Sequence, residues 1–321
     1  MVLNLTNLGS QTQRVYSCSW QIILVFIFAL GSTIASAASD TQQTFSSADG
    51  AVGALVMAAK TDDMKALNAI LGPAAGKILS SGDRVADNNA RENFVRQYQA
   101  MHRLAYDDQG RVILYIGADN WPMPIPLIKT DDGWLFDTTA GTEELLYRRI
   151  GQNELSTIGV LEDLADAQQE YVSQVHIGDE TRQFARKILS NPGQQDGLYW
   201  PAASGEQQSP IGPLIANATT EGYRQSSGGG ASPFHGYYYK VLTRQGPHAP
   251  GGAKSYLVNG KMIRGFAFLA YPADYRSSGV MTFMINQDGI IVQKDLGPDT
   301  EAIAKEIVEF NPDRSWSQDV E

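Results

Sequence analysis

The first part of the chain carries apolar residues at every third or fourth position, the spacing of one face of an α-helix. Three short helices are predicted there, with starts at Ser46, Asp62 and about Ala90. Residues 76–89 lie between the second and the third helix and are rich in turn-forming residues. We therefore expect an irregular segment at that point.

From His102 the hydrophobic period changes from the helical spacing to the alternation of β-strands. Strands are predicted at residues 104–106, 111–116, 127–129 and 134–137, with a tight hairpin turn at Asp131-Asp-Gly133. Three helices followed by an antiparallel meander are the element order of a cone-shaped α+β domain of the nuclear-transport-factor-two-like type.

A long amphipathic helix is predicted from Thr142 to Val175, because its apolar residues return at helical spacing while acidic residues occupy other faces. Helical spacing resumes at Thr181 and runs to Leu189, before the Asn191-Pro192 stop. We expect the long helix to close one domain and to open the next.

The last third of the chain has the pattern of an antiparallel sheet. Its strands are predicted at residues 237–243, 262–271, 280–285 and 290–294. A terminal helix is predicted after Asp299, with Ile303, Ile307 and Phe310 facing the core.

These patterns predict an α+β fold with a helical N-terminal segment, a cone-like antiparallel meander, a long central helix, and a second antiparallel sheet with a C-terminal helix. Residues Leu198-Tyr-Trp200 and Leu214-Ile215 are expected to pin the Gly-, Pro- and Ser-rich loop to the body of the protein. The predicted divisions are a signal peptide (1–37), an N-terminal α+β domain (38–141), a long linking helix (142–190), the loop (191–236) and a C-terminal sheet domain (237–321).

The N-terminus has the layout of a secretory signal peptide. Arg14 precedes an apolar run at residues 20–30, and small residues follow at Ala35-Ser-Ala37. We expect cleavage near Ala37 and a periplasmic or secreted mature chain. The alternative is an uncleaved membrane anchor, and only such an anchor would bring this protein into contact with a membrane. Cleavage would also remove Cys18, the single cysteine, which leaves no disulfide and no cysteine-based zinc site.

The charge balance argues against nucleic acid as a partner. The 321 residues carry a formal net charge of -10, and lysine and arginine do not cluster. Phosphate backbones require such clusters. With 43% hydrophobic residues the chain is able to bury a large core or two ordinary ones.

The densest polar set is formed by Arg148, Arg149, Asn153 and Glu154, with Asp137 just upstream. A guanidinium offers paired donors that bind a carboxylate or a sugar, so these residues are candidates for ligand binding. The alternative is a salt-bridge cluster that locks strand 134–137 against the helix. Trp121, in a proline-rich loop, and His235, at a strand start, complete the candidate site.

No motif for catalysis, cofactor binding or metal binding emerges. The histidines (His102, His176, His235 and His248) lack metal-ligand spacing. Asp-Gly pairs such as Asp288-Gly289 lack the further oxygen ligands of a calcium loop and are typical of hairpin turns. We therefore predict no catalytic residue, no metal and no cofactor.

Eight stretches together resemble the bacterial secreted proteins of the domain of unknown function 2950 family. They are Ser80–Asp83, Trp121–Leu127, Gly133–Gly141, Arg148–Leu155, Ala167–Tyr171, Phe234–Thr243, Gly279–Phe283 and Lys294–Asp299. The resemblance spans nearly the whole mature chain. It implies export from a bacterial cell and carries no activity or site residue over to this chain.

A second resemblance concerns the region from Ala167-Gln-Gln-Glu-Tyr171 onward, with its Gly-Tyr-Tyr-Tyr strand and following hairpin. It is similar to the globular part of type IV pilin-like proteins. A pilin has its polymerising helix at the chain start, whereas the long predicted helix of this chain is internal and bears Arg148 and Arg149.

The sequence thus predicts an exported envelope protein that acts as a non-catalytic binding or structural module, with envelope proteins or a small ligand as partners. Two alternatives stay open: a periplasmic hydrolase that uses the cavity of the N-terminal domain, and an accessory part of a pilus or secretion machine.

Overall fold

The computed structural model describes residues 42–176, 178–203, 205–223 and 232–318. These residues belong to one compact unit, Asp40–Glu321. The predicted signal peptide and Cys18 lie outside the described residues.

The helices and strands follow each other in the order that the α+β prediction requires, and that fold class is confirmed. The described residues form seven α-helices: α1 (Ala48–Lys60), α2 (Met64–Leu71), α3 (Gly76–Leu79), α4 (Arg84–Ala100), α5 (Thr138–Val172), α6 (Gly212–Thr220) and α7 (Thr300–Glu306). They also form the strands β1 (His102–Tyr106), β2 (Val112–Ile116), β3 (Trp121–Pro122), β4 (Leu127–Thr130), β5 (Gly133–Phe136), β6 (Tyr237–Leu242), β7 (Arg244–Gln245), β8 (Lys254–Ser255), β9 (Leu257–Val258), β10 (Lys261–Met262), β11 (Ala267–Pro272), β12 (Met281–Asn286) and β13 (Ile291–Asp295).

The N-terminal sheet is antiparallel, with strand order β1-β2-β4-β5 and β3 paired to β2. Phe45 extends it, because the backbone of Phe45 exchanges two hydrogen bonds with Trp134 (2.7 and 2.8 Å). Helices α1 and α2 and residues of β2, β4 and β5 share one hydrophobic core, which includes Leu55, Leu67, Leu114 and Phe136.

The three N-terminal helices do not begin at the predicted residues. Ser47, not Ser46, caps α1, and Asp63, not Asp62, caps α2 by accepting a hydrogen bond from the Ala66 amide. The largest error concerns α4, which begins at Arg84 and not at about Ala90. Asp83 caps α4, since its carboxylate accepts hydrogen bonds from the amides of residues 85 and 86.

Helix α5 contains 35 residues and, at 1.5 Å per residue, is about 50 Å long. Asp137 caps its start by accepting a hydrogen bond from the Ala140 amide (3.2 Å). Leu145 packs against the N-terminal core, whereas Leu161 and Leu164 belong to the core of the second sheet. One helix therefore serves both cores.

The helix predicted at residues 181–189 does not form, and α5 ends at Val172. The buried side chain of Gln168 explains this, because its amide pairs with the Ala185 backbone as a neighbouring strand would. Its nitrogen donates to the Ala185 carbonyl (2.8 Å), and its oxygen accepts from the Ala185 amide (2.8 Å). This tertiary contact outweighs the local helical pattern.

The second sheet is antiparallel, with strand order β13-β12-β11-β6, and it confirms the predicted four-stranded sheet. The long strand predicted at residues 262–271 is divided between β10 and β11. Gly265 lies between them at φ +132°, a backbone conformation that interrupts a strand. In α7 the buried residues are Thr300 and Ala304, and Ile303 is exposed, contrary to the prediction. Ile307 and Phe310 pack in the second core as predicted.

Residues 191–236 contain α6, which the sequence pattern does not predict. The predicted anchors are confirmed, because Leu198 and Trp200 are buried and Leu214 and Ile215 pack against the second core. The domain boundaries stay a prediction. In the part of the chain that the structure describes, no helix combines the length and the apolar character that a bilayer crossing requires.

Candidate functional site

A cavity of about 660 Å³ lies among α1, α2, α4, β2, β3 and the first half of α5. Most of its wall is apolar, and many of the lining side chains are buried. The apolar lining includes Leu55, Ala59, Leu67, Leu71, Ile78, Leu79, Phe94, Ile116, Met123 and Leu145. A cavity of this size and lining is typical of small-molecule sites, which commonly measure about 300 to 1,000 Å³.

Two helices add polar side chains to this apolar wall. Asp87 and Gln97 of α4 line the cavity together with Phe94, and Arg149 and Asn153 of α5 line it from the other helix. Residues three or four positions apart share a helix face, so Arg149 and Asn153 project toward the same side. The site is therefore an apolar chamber with polar groups along the cleft between α4 and α5.

Exposed side chains mark the opening of the cavity. Asn93, Asp119 and Gln152 are exposed lining residues. Trp121 is half-buried beside them, and the guanidinium carbon of Arg148 lies 5.2 Å from the centre of its indole ring. Arg148 is held in turn by Glu144, one helical turn away, at an Nε to Oε1 distance of 2.6 Å.

The Arg149 guanidinium is directed at backbone carbonyls of α3. It donates to the Lys77 carbonyl (2.7 Å) and to the Ile78 carbonyl. Burial lowers the pKa of Arg149, because a charge is poorly solvated there, while the carboxylates of Asp87 and Asp274 act in the opposite direction. The two carboxylates therefore offset part of the cost of burying this positive charge.

Asp87 is buried and holds the turn before α4 in place. Its carboxylate accepts hydrogen bonds from the Ser81 amide (3.0 Å) and from the Ser81 hydroxyl (2.8 Å). The Ser81 oxygen in turn accepts from the Asp83 amide (3.3 Å). This contact fixes Ser81 and Asp87 at the cavity wall.

Asp83 joins α4 to the region before the second sheet. One carboxylate oxygen caps α4, and the other accepts from the Tyr223 hydroxyl (2.8 Å) and the Gly236 amide (2.9 Å). Gly236 adopts φ +76°, and a side chain there would collide with the Asn153 amide (2.5 Å). The polar wall of the cavity is therefore continuous with a hydrogen-bond network that reaches both parts of the fold.

Asn153 and Glu154 tie α5 to the second sheet. The Asn153 amide donates to the Ser278 carbonyl (2.8 Å). The Glu154 carboxylate accepts from the amides of Val280 (2.8 Å) and Met281 (2.9 Å). Glu154 contributes to the junction, not to the cavity wall.

The structure brings part of the predicted site together. Arg149, Asn153 and Trp121 line the cavity, and Arg148 lies over Trp121 at its opening. Asp137 caps α5, and His235 lies near Glu221, at 3.6 Å between Nε2 and Oε2, away from the cavity lining. The salt-bridge cluster that the sequence suggested does not form, because Arg148 pairs with Glu144 and Arg149 binds carbonyls.

Sequence reasoning missed Ser81, Asp87 and Gln97 as site residues. Asp83 followed by Asp87 is the acidic pattern of a helix start, and it would have placed α4 earlier. The arrangement of the described residues offers no group of three or more histidine, cysteine, aspartate or glutamate side chains for a metal ion.

Comparison with known proteins gives one family. The family model described as "Protein of unknown function (DUF2950)" matches residues 42–319. No curated protein and no solved structure matches the chain, and the similarity to pilin-like domains is not shown.

Proposed function

We propose that this chain, which belongs to the DUF2950 family, is an exported bacterial envelope protein that acts as a non-catalytic binding module for a small amphipathic molecule. The observation that carries the proposal is the 660 Å³ cavity with its apolar wall and its polar groups from α4 and α5. Burial of an apolar ligand surface supplies binding free energy, and a few polar groups fix the orientation of the ligand.

Export is supported by the layout of the N-terminus, with Arg14, the apolar run at 20–30 and Ala35-Ser-Ala37. Expression of the full chain in a bacterium, followed by fractionation and N-terminal sequencing, tests this part. We expect mature protein outside the cytoplasm that begins close to residue 38. Full-length protein confined to the cytosol would contradict it.

Binding is tested with N-phenylnaphthylamine, an uncharged dye whose fluorescence increases in apolar surroundings. The test variant is Ala90→Trp, because Ala90 is an exposed lining residue and we expect an indole at this position to extend into the cavity. The matched control is Ala100→Trp, which places the same side chain at an exposed position of α4 outside the lining.

We expect saturable dye binding to the wild-type protein and to Ala100→Trp, and a loss of at least about tenfold in affinity, or about 1.4 kcal/mol, for Ala90→Trp. Equal affinity in both variants, or no saturable binding to the wild-type protein, would refute the binding function.

A hydrolase is the second candidate, and the contact that favours it is the Ser81 hydroxyl, 2.8 Å from the Asp87 carboxylate at the cavity wall. Against it, the same carboxylate also accepts from the Ser81 amide, which gives it a structural task. Nitrophenyl decanoate is a suitable substrate for the test. Hydrolysis that disappears in Ser81→Ala, with the fold retained, would replace the binding function by the enzymatic one.

A further inference from the structure

The chemistry of the ligand's polar group is constrained by the charges that line the cavity. Arg149 is the positively charged candidate for an anionic head group. Its guanidinium already donates to the carbonyls of Lys77 and Ile78, and the carboxylates of Asp87 and Asp274 favour its charged form. A ligand carboxylate would therefore approach a guanidinium that already donates hydrogen bonds, and it would be repelled by the two nearby carboxylates.

A cationic head group meets the opposite difficulty. Asp87 already accepts from the amide and the hydroxyl of Ser81, and the Arg149 guanidinium lines the same cavity. A ligand amine would therefore approach an anion that already accepts two hydrogen bonds and has a guanidinium nearby. Burial of a charge without a free opposite charge is strongly unfavourable.

The other charged lining residues do not change this balance. The Nε of Arg91 forms a 2.8 Å ion pair with Asp62. Asp119 is exposed at the opening, where water screens its charge. Among the described residues, each charged side chain inside the cavity therefore already has a hydrogen-bond or ion-pair partner.

Uncharged polar groups are available instead. Within the hydrogen bonds of the described part of the chain, none uses the side-chain amide of Gln97, which lies on the α4 side of the cavity. Asn153, on the α5 side, donates its amide nitrogen to the Ser278 carbonyl, and none of the hydrogen bonds among the described residues ends on its side-chain oxygen. Together they offer both donors and acceptors to a ligand.

We infer that the cavity binds a molecule with an apolar body and an uncharged head group that both donates and accepts hydrogen bonds, such as a primary amide or an alcohol. The inference rests on the proposed binding function. It excludes fatty-acid-like anions and long-chain amines as preferred ligands, despite the arginine at the cavity wall.

Three molecules with the same aliphatic chain test it: decanamide, decanoate and decylamine, each titrated calorimetrically into the mature protein at neutral pH. We expect decanamide to bind at least about tenfold more tightly than either charged molecule, a difference of about 1.4 kcal/mol. Tighter or equal binding of decanoate or decylamine would overturn the inference while the binding function stands.

The position of the head group is tested with Gln97→Leu and the control Gln99→Leu, an exposed glutamine of the same helix outside the cavity lining. We expect Gln97→Leu to weaken decanamide about fivefold, as for the loss of one hydrogen bond, and to leave decanoate unchanged. The control should behave as wild type.

Equal loss for both ligands in Gln97→Leu would overturn the assignment of the head group to this side chain. A dye that binds while decanamide does not would overturn the inference alone. A wild-type protein that binds neither dye nor decanamide would remove the proposed function with it.

Discussion

Asp83→Ala should be among the most destabilising single changes in this chain, because one buried carboxylate has two separate tasks. One oxygen caps α4 through the amides of Val85 and Ala86, both at 3.1 Å. The other accepts from the Tyr223 hydroxyl at 2.8 Å and the Gly236 amide at 2.9 Å. The Asp83 side chain is buried, and so is Gly236.

The expected loss follows from these contacts. Loss of the cap costs about 1 kcal/mol. The buried Gly236 amide, left without an acceptor, adds about 2 kcal/mol, and the half-buried Tyr223 hydroxyl adds about 1 kcal/mol. The sum is about 4 kcal/mol. Typical proteins have a free energy of unfolding of about 5 to 15 kcal/mol, so the variant should still fold even if the wild-type protein lies at the lower end of that range.

Asp63→Ala is the matched control, because Asp63 also caps a helix, α2, but is exposed, and among the described residues its side chain accepts from the Ala66 amide alone. Urea unfolding followed by tryptophan fluorescence gives both losses from the change in midpoint at constant slope. We expect about 1 kcal/mol for Asp63→Ala and about 4 kcal/mol for Asp83→Ala. Equal losses would refute the second task of Asp83.

Three further changes test other parts of the account. Glu154→Leu leaves the Val280 and Met281 amides without an acceptor and should lower the free energy of unfolding in urea by about 2 to 4 kcal/mol. Glu154→Gln keeps an acceptor oxygen and should lower it by less than about 1 kcal/mol. Equal losses would contradict the role of the Glu154 Oε1 atom as the acceptor. Gly141→Ala places a methyl group 2.6 Å from the Pro124 carbonyl and should lower the thermal midpoint of unfolding. Gly151→Ala, with open space around it, should raise the midpoint, because alanine favours the helix more than glycine does. An unchanged midpoint in Gly141→Ala would contradict the predicted clash. Burial raises the pKa of the Tyr239 hydroxyl, so above about pH 10 the unfolded chain loses a proton that the folded chain keeps, and stability, complete below that pH, falls as pH rises. Tyr239→Phe should make this fall shallower by up to about 1.4 kcal/mol per pH unit in unfolding measured from pH 9 to 12, and an unchanged slope would contradict the assignment.

Much of the fold was predictable where local sequence and tertiary packing favour the same structure. The hairpin between β4 and β5 follows from Asp131-Asp-Gly133, and Gly133 adopts φ +126° there. The second sheet follows from long apolar runs, since β11 is buried along its whole length. Neither result required knowledge of distant contacts.

The failures occurred where a distant contact decides the local structure. Residues 181–189 have helical spacing, yet the Gln168 amide pairs with the Ala185 backbone and holds them in a non-helical conformation. The first turns of α4 were missed because that helix is polar and buries few apolar side chains. Asp87, which is buried in the first turn of α4, was therefore also missed as a site residue.

Of the two helices that add polar groups to the candidate site, only α5 was predictable as a contributor from the sequence. Arg149 and Asn153 lie four residues apart on one helix, and helical spacing brings them together. Their partners across the cavity come from α4 and from the turn at Ser81, far away in sequence. Hydrophobic periodicity contains no information on such pairings, and Glu154 and Asp137 were included because they are near in sequence.

If the chamber between α4 and α5 holds a small amphipathic molecule, as we propose, native mass spectrometry of mature protein purified from a bacterial envelope fraction should detect it most directly. We predict a non-covalent small-molecule adduct on the wild-type protein and on Ala100→Trp that Ala90→Trp does not carry. The same adduct on Ala90→Trp would place the ligand elsewhere, and a wild-type protein that neither carries an adduct nor takes up decanamide would contradict the claim.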